Sequence, residues 1–94
     1  MVEKTDIFVK WLFDLKDNQA KRIIVAKIKR IETDNYFGDH KSVGDGVFEM
    51  RIHCGAGYRI YYVHDGDTVI ILLCGGDKST QQKDIKKAKE LLCQ

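Results

Sequence analysis

The spacing of apolar residues changes period once along this chain, and that change constrains the fold more than any other feature. In the first third the period is helical: Ile7, Phe8, Trp11, Leu12 and Leu15 form one stripe, and Ala20, Ile23, Ile24, Ile28 and Ile31 repeat it. Thr5 or Asp6 can cap the first helix, and Asp17-Asn18 reads as a short connection, so a helical hairpin is expected. The stretch "TDNYFGDHKSVGDG" then breaks the pattern with Gly, Asn, Asp and Ser and reads as a loop, with a short strand around Lys41 to Val43.

Beyond that loop the period is two. In "GVFEMRIHC" Phe48, Met50, Ile52 and Cys54 alternate with Val47, Glu49, Arg51 and His53, which assigns the first set to a core and the second to an outward face. "GAG" at 55–57 turns the chain into "YRIYYVHDGD", and Asp65-Gly66 marks the next turn. "TVIILLC" is almost continuously apolar, as a strand buried on both faces would be. A final helix follows, with Ser79 or Thr80 as its cap, Ser79 and Gln82 at capping-box spacing, and Ile85, Ala88 and Leu92 on one stripe. The expected order is α-α-β-β-β-α: an α+β fold with a helical hairpin packed on an antiparallel meander and the other sheet face only partly covered.

With 94 residues the chain has room for one domain spanning 1–94 and one core. The absence of proline leaves no evident linker. A net charge of +2 is too small to announce a nucleic-acid binder, but its distribution is informative. Residues 38–78 contain Lys41, Arg51, Arg59 and Lys78 as their only Lys or Arg, a sparse set that points to a site rather than a basic surface. Three cysteines in no paired motif, a polar start "MVEKTD" and no membrane-length apolar run point to a reducing cytoplasm and no membrane partner.

Several chemistries can be set aside. "GGDKST" is not a phosphate-binding P-loop, because Asp77 separates glycine from lysine and no glycine lies upstream at the required distance. A lysine near a helix N-terminus remains, as either an anion contact or a solvated turn residue. Metal binding would have to draw on His40, His53, His64, Cys54 and Cys74, but adjacent strand residues point to opposite faces, so no metal is expected. A Cys-His nucleophile fails for similar reasons. Arg51 and Arg59 carry more weight: on neighbouring rigid strands, two guanidinium groups suit phosphate recognition, and Tyr61 could stack on a base. Cross-strand pairing, for instance of Glu49 with Arg59, explains the same residues as an ordinary solvated face. Spacing alone does not separate the two.

The segments "GDHKSVGDGVFEMRI", "GAGYRIYY" and "LLCGGDKSTQQKDI", within a frame covering nearly the whole chain, resemble the RelE/ParE toxin superfamily, in particular its HigB-like branch of phage-derived or addiction-module killer proteins. The resemblance implies a cytoplasmic toxin neutralised by an antitoxin, in this branch a helix-turn-helix DNA-binding protein. RelE-type members cut mRNA on the ribosome without a metal or other cofactor, by attack of the ribose 2′-OH on the adjacent phosphate. Arg59 of "GYR" matches the arginine at the scissile phosphate, Lys78 the basic residue after the last strand, and Arg51 a basic position on the preceding strand. Arg59 and Lys78 would then clamp transition-state charge, with Arg51 assisting or protonating the leaving group.

A tyrosine that many members carry on the terminal helix is absent; Gln81 or Asp84 occupies its neighbourhood. The general base is therefore open among Glu49, His53, Asp84 and Tyr61, of which histidine has the ordinary titration range nearest neutrality. Lys41, Arg22, Lys29 and Lys83 join the RNA contacts as phosphate attraction or as plain solvated surface. Two alternatives follow from the same superfamily: a ParE-like inhibitor that poisons DNA gyrase by protein binding, and an inactive homologue that only binds antitoxin.

Overall fold

The computed structural model describes residues 1–93. Three strands form the expected meander, β3 (Val47–Ile52), β4 (Tyr58–Asp65) and β5 (Val69–Gly76), and two further strands extend it at both edges. β2 (His40–Gly44) pairs with β3, while β1 (Val2–Lys4) pairs in parallel with β5, giving the order β1-β5-β4-β3-β2. β1 was not evident from the sequence, because three residues reading Val-Glu-Lys show no usable alternation; pairing with β5 makes the strand. Thr5 secures the junction that follows. Its N–H donates to Leu72 O, its hydroxyl donates to Leu73 O at 2.6 Å, and its Oγ1 accepts from Phe8 N at 3.0 Å as the expected cap of α1 (Asp6–Asp14).

α1 and α2 (Asn18–Asp34) cover one face of the sheet. Phe8, Ile24, Ile28 and Ile31 meet Met50, Ile52, Ile60, Tyr62, Ile70 and Leu72 there, so the helical stripe and the first alternating set form one core as expected. No helix of the described residues is long and apolar enough to cross a membrane.

The opposite face departs from expectation. α3 (Gln81–Leu92) lies across it, and Val47, Tyr61, Val63, Leu73, Cys74 and Ala88 form a second core. Val47 and Glu49, assigned above to an outward face, and Tyr61, expected to stack on a base, are therefore buried. Leu91 packs into this layer, whereas Leu92, expected on the inward stripe, is exposed. At the helix start Thr80 takes the N-cap position of α3, as expected, but makes no side-chain cap bond; the capping side chain is Asp77, which accepts from Ser79 N at 2.8 Å at the head of a short 3-10 turn over Lys78–Thr80.

Gly75 and Gly76 lie within β5 rather than in a turn, and neither has a positive φ. They are small because of what lies over them. A Cβ at Gly75 would come within 2.5 Å of the Trp11 ring, and one at Gly76 would overlap the Asp84 carboxylate. Their outlook is set by an irregularity upstream, where Tyr61 pairs with Cys74 but Tyr62 with Leu72. The extra residue, Leu73, inverts the alternation, so Leu72 serves the first core while Leu73 and Cys74 both serve the second. The bulge thereby turns Gly76 toward α3.

Candidate active site on the face of the terminal helix

Two adjacent rows of side chains cross the sheet on the α3 face. Arg51, Arg59 and Gly76 are direct partners in one row; Lys41, Glu49, Tyr61 and Cys74 make the next. The two arginines thus stand opposite each other on β3 and β4, and the glycine leaves the third place without a side chain. Lys78 follows two residues later. Its N–H donates to Ala56 O at 3.4 Å, which ties the "GGDKST" segment to the β3–β4 turn. At Gly57, with φ of 74°, a Cβ would lie 3.5 Å from Lys78 Cβ and 3.6 Å from Arg59 Nη1.

Glu49 is the hub of the arrangement and is fully buried. Its Oε1 accepts from Arg51 Nε at 3.3 Å, and its Oε2 accepts from Tyr61 OH at 3.1 Å and Gln81 Nε2 at 2.9 Å. Arg59 Nε lies 3.7 Å from Oε2, is itself buried and has no hydrogen-bond partner among the described residues. Burial alone would push this carboxyl up, but the hydrogen bonds from Gln81, Tyr61 and Arg51 and the charge of Arg59 outweigh it and hold Glu49 below its ordinary range. Tyr61 responds in the opposite sense, since burial first and the Glu49 charge second push its phenol upward.

An outer set continues the network toward solvent. Asp39 Oδ2 lies 2.6 Å from His53 Nε2 and 4.0 Å from Arg51 Nη1, and the hydrogen bond from His53 is the main reason its carboxyl is held low. His53 itself is exposed. Arg59 Nη1 donates to Gly57 O at 2.8 Å, its single hydrogen bond among the described residues. Asp77 is likewise held low, chiefly by Ser79, with Arg59 contributing.

The expected site residues therefore fall into three groups. Arg51, Arg59, Lys78, Glu49 and His53 come together around one end of the sheet, with Lys41 in the neighbouring row on an exposed edge strand. Tyr61 is on the same face but buried under α3, so the expectation of a base-stacking surface is corrected: no ring face is open to solvent. Arg22 and Lys29 lie on α2, across the sheet from the arginines, while Lys83 is exposed on the first turn of α3. The pairing of Glu49 with Arg59 also exists, as a diagonal contact in the interior rather than on a solvated surface. Gln81 and Asp39 complete the network, and no spacing in the sequence marks either one, since their partners are 32 and 14 residues away. Among the described residues no group of three or more His, Cys, Asp or Glu side chains is placed to hold a metal ion.

The geometry is that of known folds. The family described as "Phage derived protein Gp49-like (DUF891)" matches residues 10–92. The chain belongs to this Gp49-like family. It is 54% identical over 90 residues to an uncharacterized protein of Haemophilus influenzae, covering 96% of this chain and 90% of that one. Among solved structures it is similar to a double arginine-to-alanine mutant of the E. coli toxin RelE in the free state, with a TM-score of 0.68, 13% identity and coverage of 96% and 95% of the two chains. The E. coli RelBE toxin-antitoxin complex matches with a TM-score of 0.65 at 15% identity, over 82% of this chain and 94% of that one. A conserved hypothetical protein of Helicobacter pylori, solved in solution, matches with a TM-score of 0.54 at 24% identity, over 83% and 93%. The fold is RelE-like.

Proposed function

We propose that this chain is the toxin of a type II toxin-antitoxin module and acts in the cytoplasm as a metal-independent, ribosome-dependent mRNA endonuclease. The observation that carries the reading is the facing pair Arg51 and Arg59, with Lys78 brought alongside by the turn at Gly57. Three cations of different reach around one point suit a pentavalent phosphorane, whose charge grows as the 2′-oxygen attacks. Arg59 and Lys78 hold the non-bridging oxygens, and Arg51, anchored through Nε to Glu49, meets the leaving 5′-oxygen.

The base is His53. Its Nε2 contacts Asp39, a carboxylate able to orient the ring and stabilise its cation, and its exposure leaves it accessible to RNA. Glu49 and Tyr61 are poor candidates, the first because both oxygens are occupied and its affinity for a proton is reduced, the second because its hydroxyl is buried on Glu49. Asp84, in the first turn of α3, already accepts from Thr80 Oγ1 at 2.5 Å. The proton passes from the 2′-OH to His53, the 2′-oxygen bonds to phosphorus as the P–O5′ bond breaks, the 5′-oxygen takes a proton from solvent while Arg51 stabilises its developing charge, His53 returns its proton to solvent, and the products are a 2′,3′-cyclic phosphate and a 5′-hydroxyl end. Glu49 is a positioning residue in this scheme. The partner is a cognate antitoxin, supported by likeness to a chain of the E. coli RelBE toxin-antitoxin complex.

The test is brief expression in a bacterium followed by mapping of transcript 5′ ends with translation running or blocked. Translation-dependent cuts with 5′-hydroxyl ends are expected, and Arg59→Ala and Lys78→Ala should each reduce them by about 100-fold or more. Cuts that survive both changes would remove the assignment; growth arrest with intact mRNA and trapped gyrase would replace it with the ParE-like reading.

A further inference from the structure

Residues 35–39, between α2 and β2, carry the chain from the first core to the candidate site. The segment bends at Asn35 and at Gly38, where φ is 55° and 67°. Between the two bends Phe37 packs against the first core, its ring stacked on Tyr62 with centroids 5.1 Å apart and an angle of 8°. His40 and His64 stand beside the same ring at 5.9 and 5.5 Å, and His40 Nδ1 donates to Gly38 O at 2.8 Å. One residue past Gly38, Asp39 is already at the site, with Oδ2 2.6 Å from His53 Nε2 and 4.0 Å from Arg51 Nη1. Gly38 permits this reversal because its left-handed backbone suits glycine, and a Cβ there would sit 3.4 Å from Lys27 Nζ.

We propose that Phe37 is a positioning residue: seated on Tyr62, it holds the 35–39 segment so that Asp39 keeps His53 oriented as a base. The contacts made by Asp39 itself are too weak to do this. Its carboxylate and the His53 ring are both open to water, where an ion pair contributes little. Its carbonyl accepts from Arg51 N at 2.9 Å, but this bond lies one step beyond the pairing of His40 with Met50, at the outer end of the β2–β3 ladder. Tyr36 adds no anchor to the sheet, being exposed and turned to Arg30, whose guanidinium lies over its ring at 4.5 Å. A stack on the fully buried Tyr62 ring is the strongest constraint within the segment, and its flat geometry fixes direction as well as depth. The tether that transmits it is short, since one residue separates Phe37 from Asp39. The step to catalysis rests on the reading of His53 as the base; the placement of Asp39 by Phe37 does not.

Carboxyl-carbon NMR of the whole chain, without RNA, reads the placement. Asp39 is faced by His53 and Arg51 and by His40 of β2, and the hydrogen bond from His53 is the main cause of its low carboxyl. Phe37→Leu and the more adaptable Phe37→Met both keep apolar volume at a half-buried position but lose the flat ring. In each, Asp39 should rise toward the ordinary aspartate range, as it should in His53→Asn. Phe37→Tyr keeps the ring and should keep the low value, as should Tyr36→Ala at the neighbouring exposed position. In the transcript-end assay Phe37→Leu and Asp39→Asn should each reduce cutting by about 10-fold or more, and the double variant no further than either alone. An Asp39 that stays low in Phe37→Leu or Phe37→Met, or that rises equally in Tyr36→Ala, would overturn the proposal. So would losses that multiply in the double variant. A parent that cuts no mRNA while Asp39 still follows Phe37 would remove the endonuclease reading and uphold Phe37 as the seat of Asp39.

Discussion

The two faces of this sheet are built on different principles. Under α1 and α2 the contact is an aliphatic and aromatic core with helix and strand stripes interlocked; under α3 the layer is thinner and contains a buried carboxylate ringed by donors. A mostly apolar interface tolerates small shifts in angle and distance. The Glu49 network does not, because each partner removed leaves a buried charge or dipole unsatisfied. What this teaches is where precision is concentrated: β3, β4 and the start of α3 are locked together through Glu49, next to the arginines on which the proposed chemistry rests.

The contrast can be broken from its heavier side first. Phe8→Ala, at a fully buried position of the first core, should destabilise by about 4 kcal/mol in urea denaturation. Glu49→Ala should lose about 3 kcal/mol, toward the lower end for a broken buried pair because Arg51 keeps part of its side chain in solvent.

Acid should reveal the same network. The folded carboxyl of Glu49 is held below its ordinary value of 4.5, so its contribution to stability is complete above that pH and is lost as pH falls toward and through the lower folded value. Glu49→Gln should therefore flatten the loss of stability below about pH 4.5 relative to the parent. Asp39 and Asp77 are also held low but are unchanged between the two proteins, so the difference reports Glu49. An unchanged slope would show that the carboxylate is not coupled to folding.

The smallest effects should be the sharpest, because they come from adjacent tyrosines that point to opposite faces. Tyr61→Phe removes a donor to Glu49 and should cost about 1–2 kcal/mol. Tyr62 is stacked between Phe37 and Phe48, and its hydroxyl is buried without a hydrogen-bond partner among the described residues. Burial accordingly pushes that phenol up to about 12. Tyr62→Phe should be neutral or stabilising by about 0.5–1 kcal/mol, so the same atom deleted one residue apart changes stability in different directions. Equal effects at both positions would erase the distinction between the faces.

Much of the first face was legible because its signals are local. Stripes in 7–31, the cap at Thr5, and the Gly55, Gly57 and Gly66 turns with their positive φ values all follow from residues a few places apart. The second face was misread where one periodic pattern served two environments. Val47, Glu49 and Tyr61 alternate as an outward set would, and only the placement of α3 makes them interior. In the site, the residue types around Arg51, Arg59 and Lys78 were visible, but the facing register of the two arginines and the commitment of Gln81 to Glu49 were not.

By itself the sequence determined the helical hairpin, the meander and the sparse cations of its middle segment, because helix period, strand alternation and turn chemistry act over a few residues. Only the tertiary structure decided the edge strand β1, the bulge at Leu73 that turns Gly76 toward α3, and the burial of Glu49 among donors from three elements. Those features depend on contacts between segments distant in the chain. Their stabilisation comes from excluding water around several groups at once, which no single stretch of residues encodes.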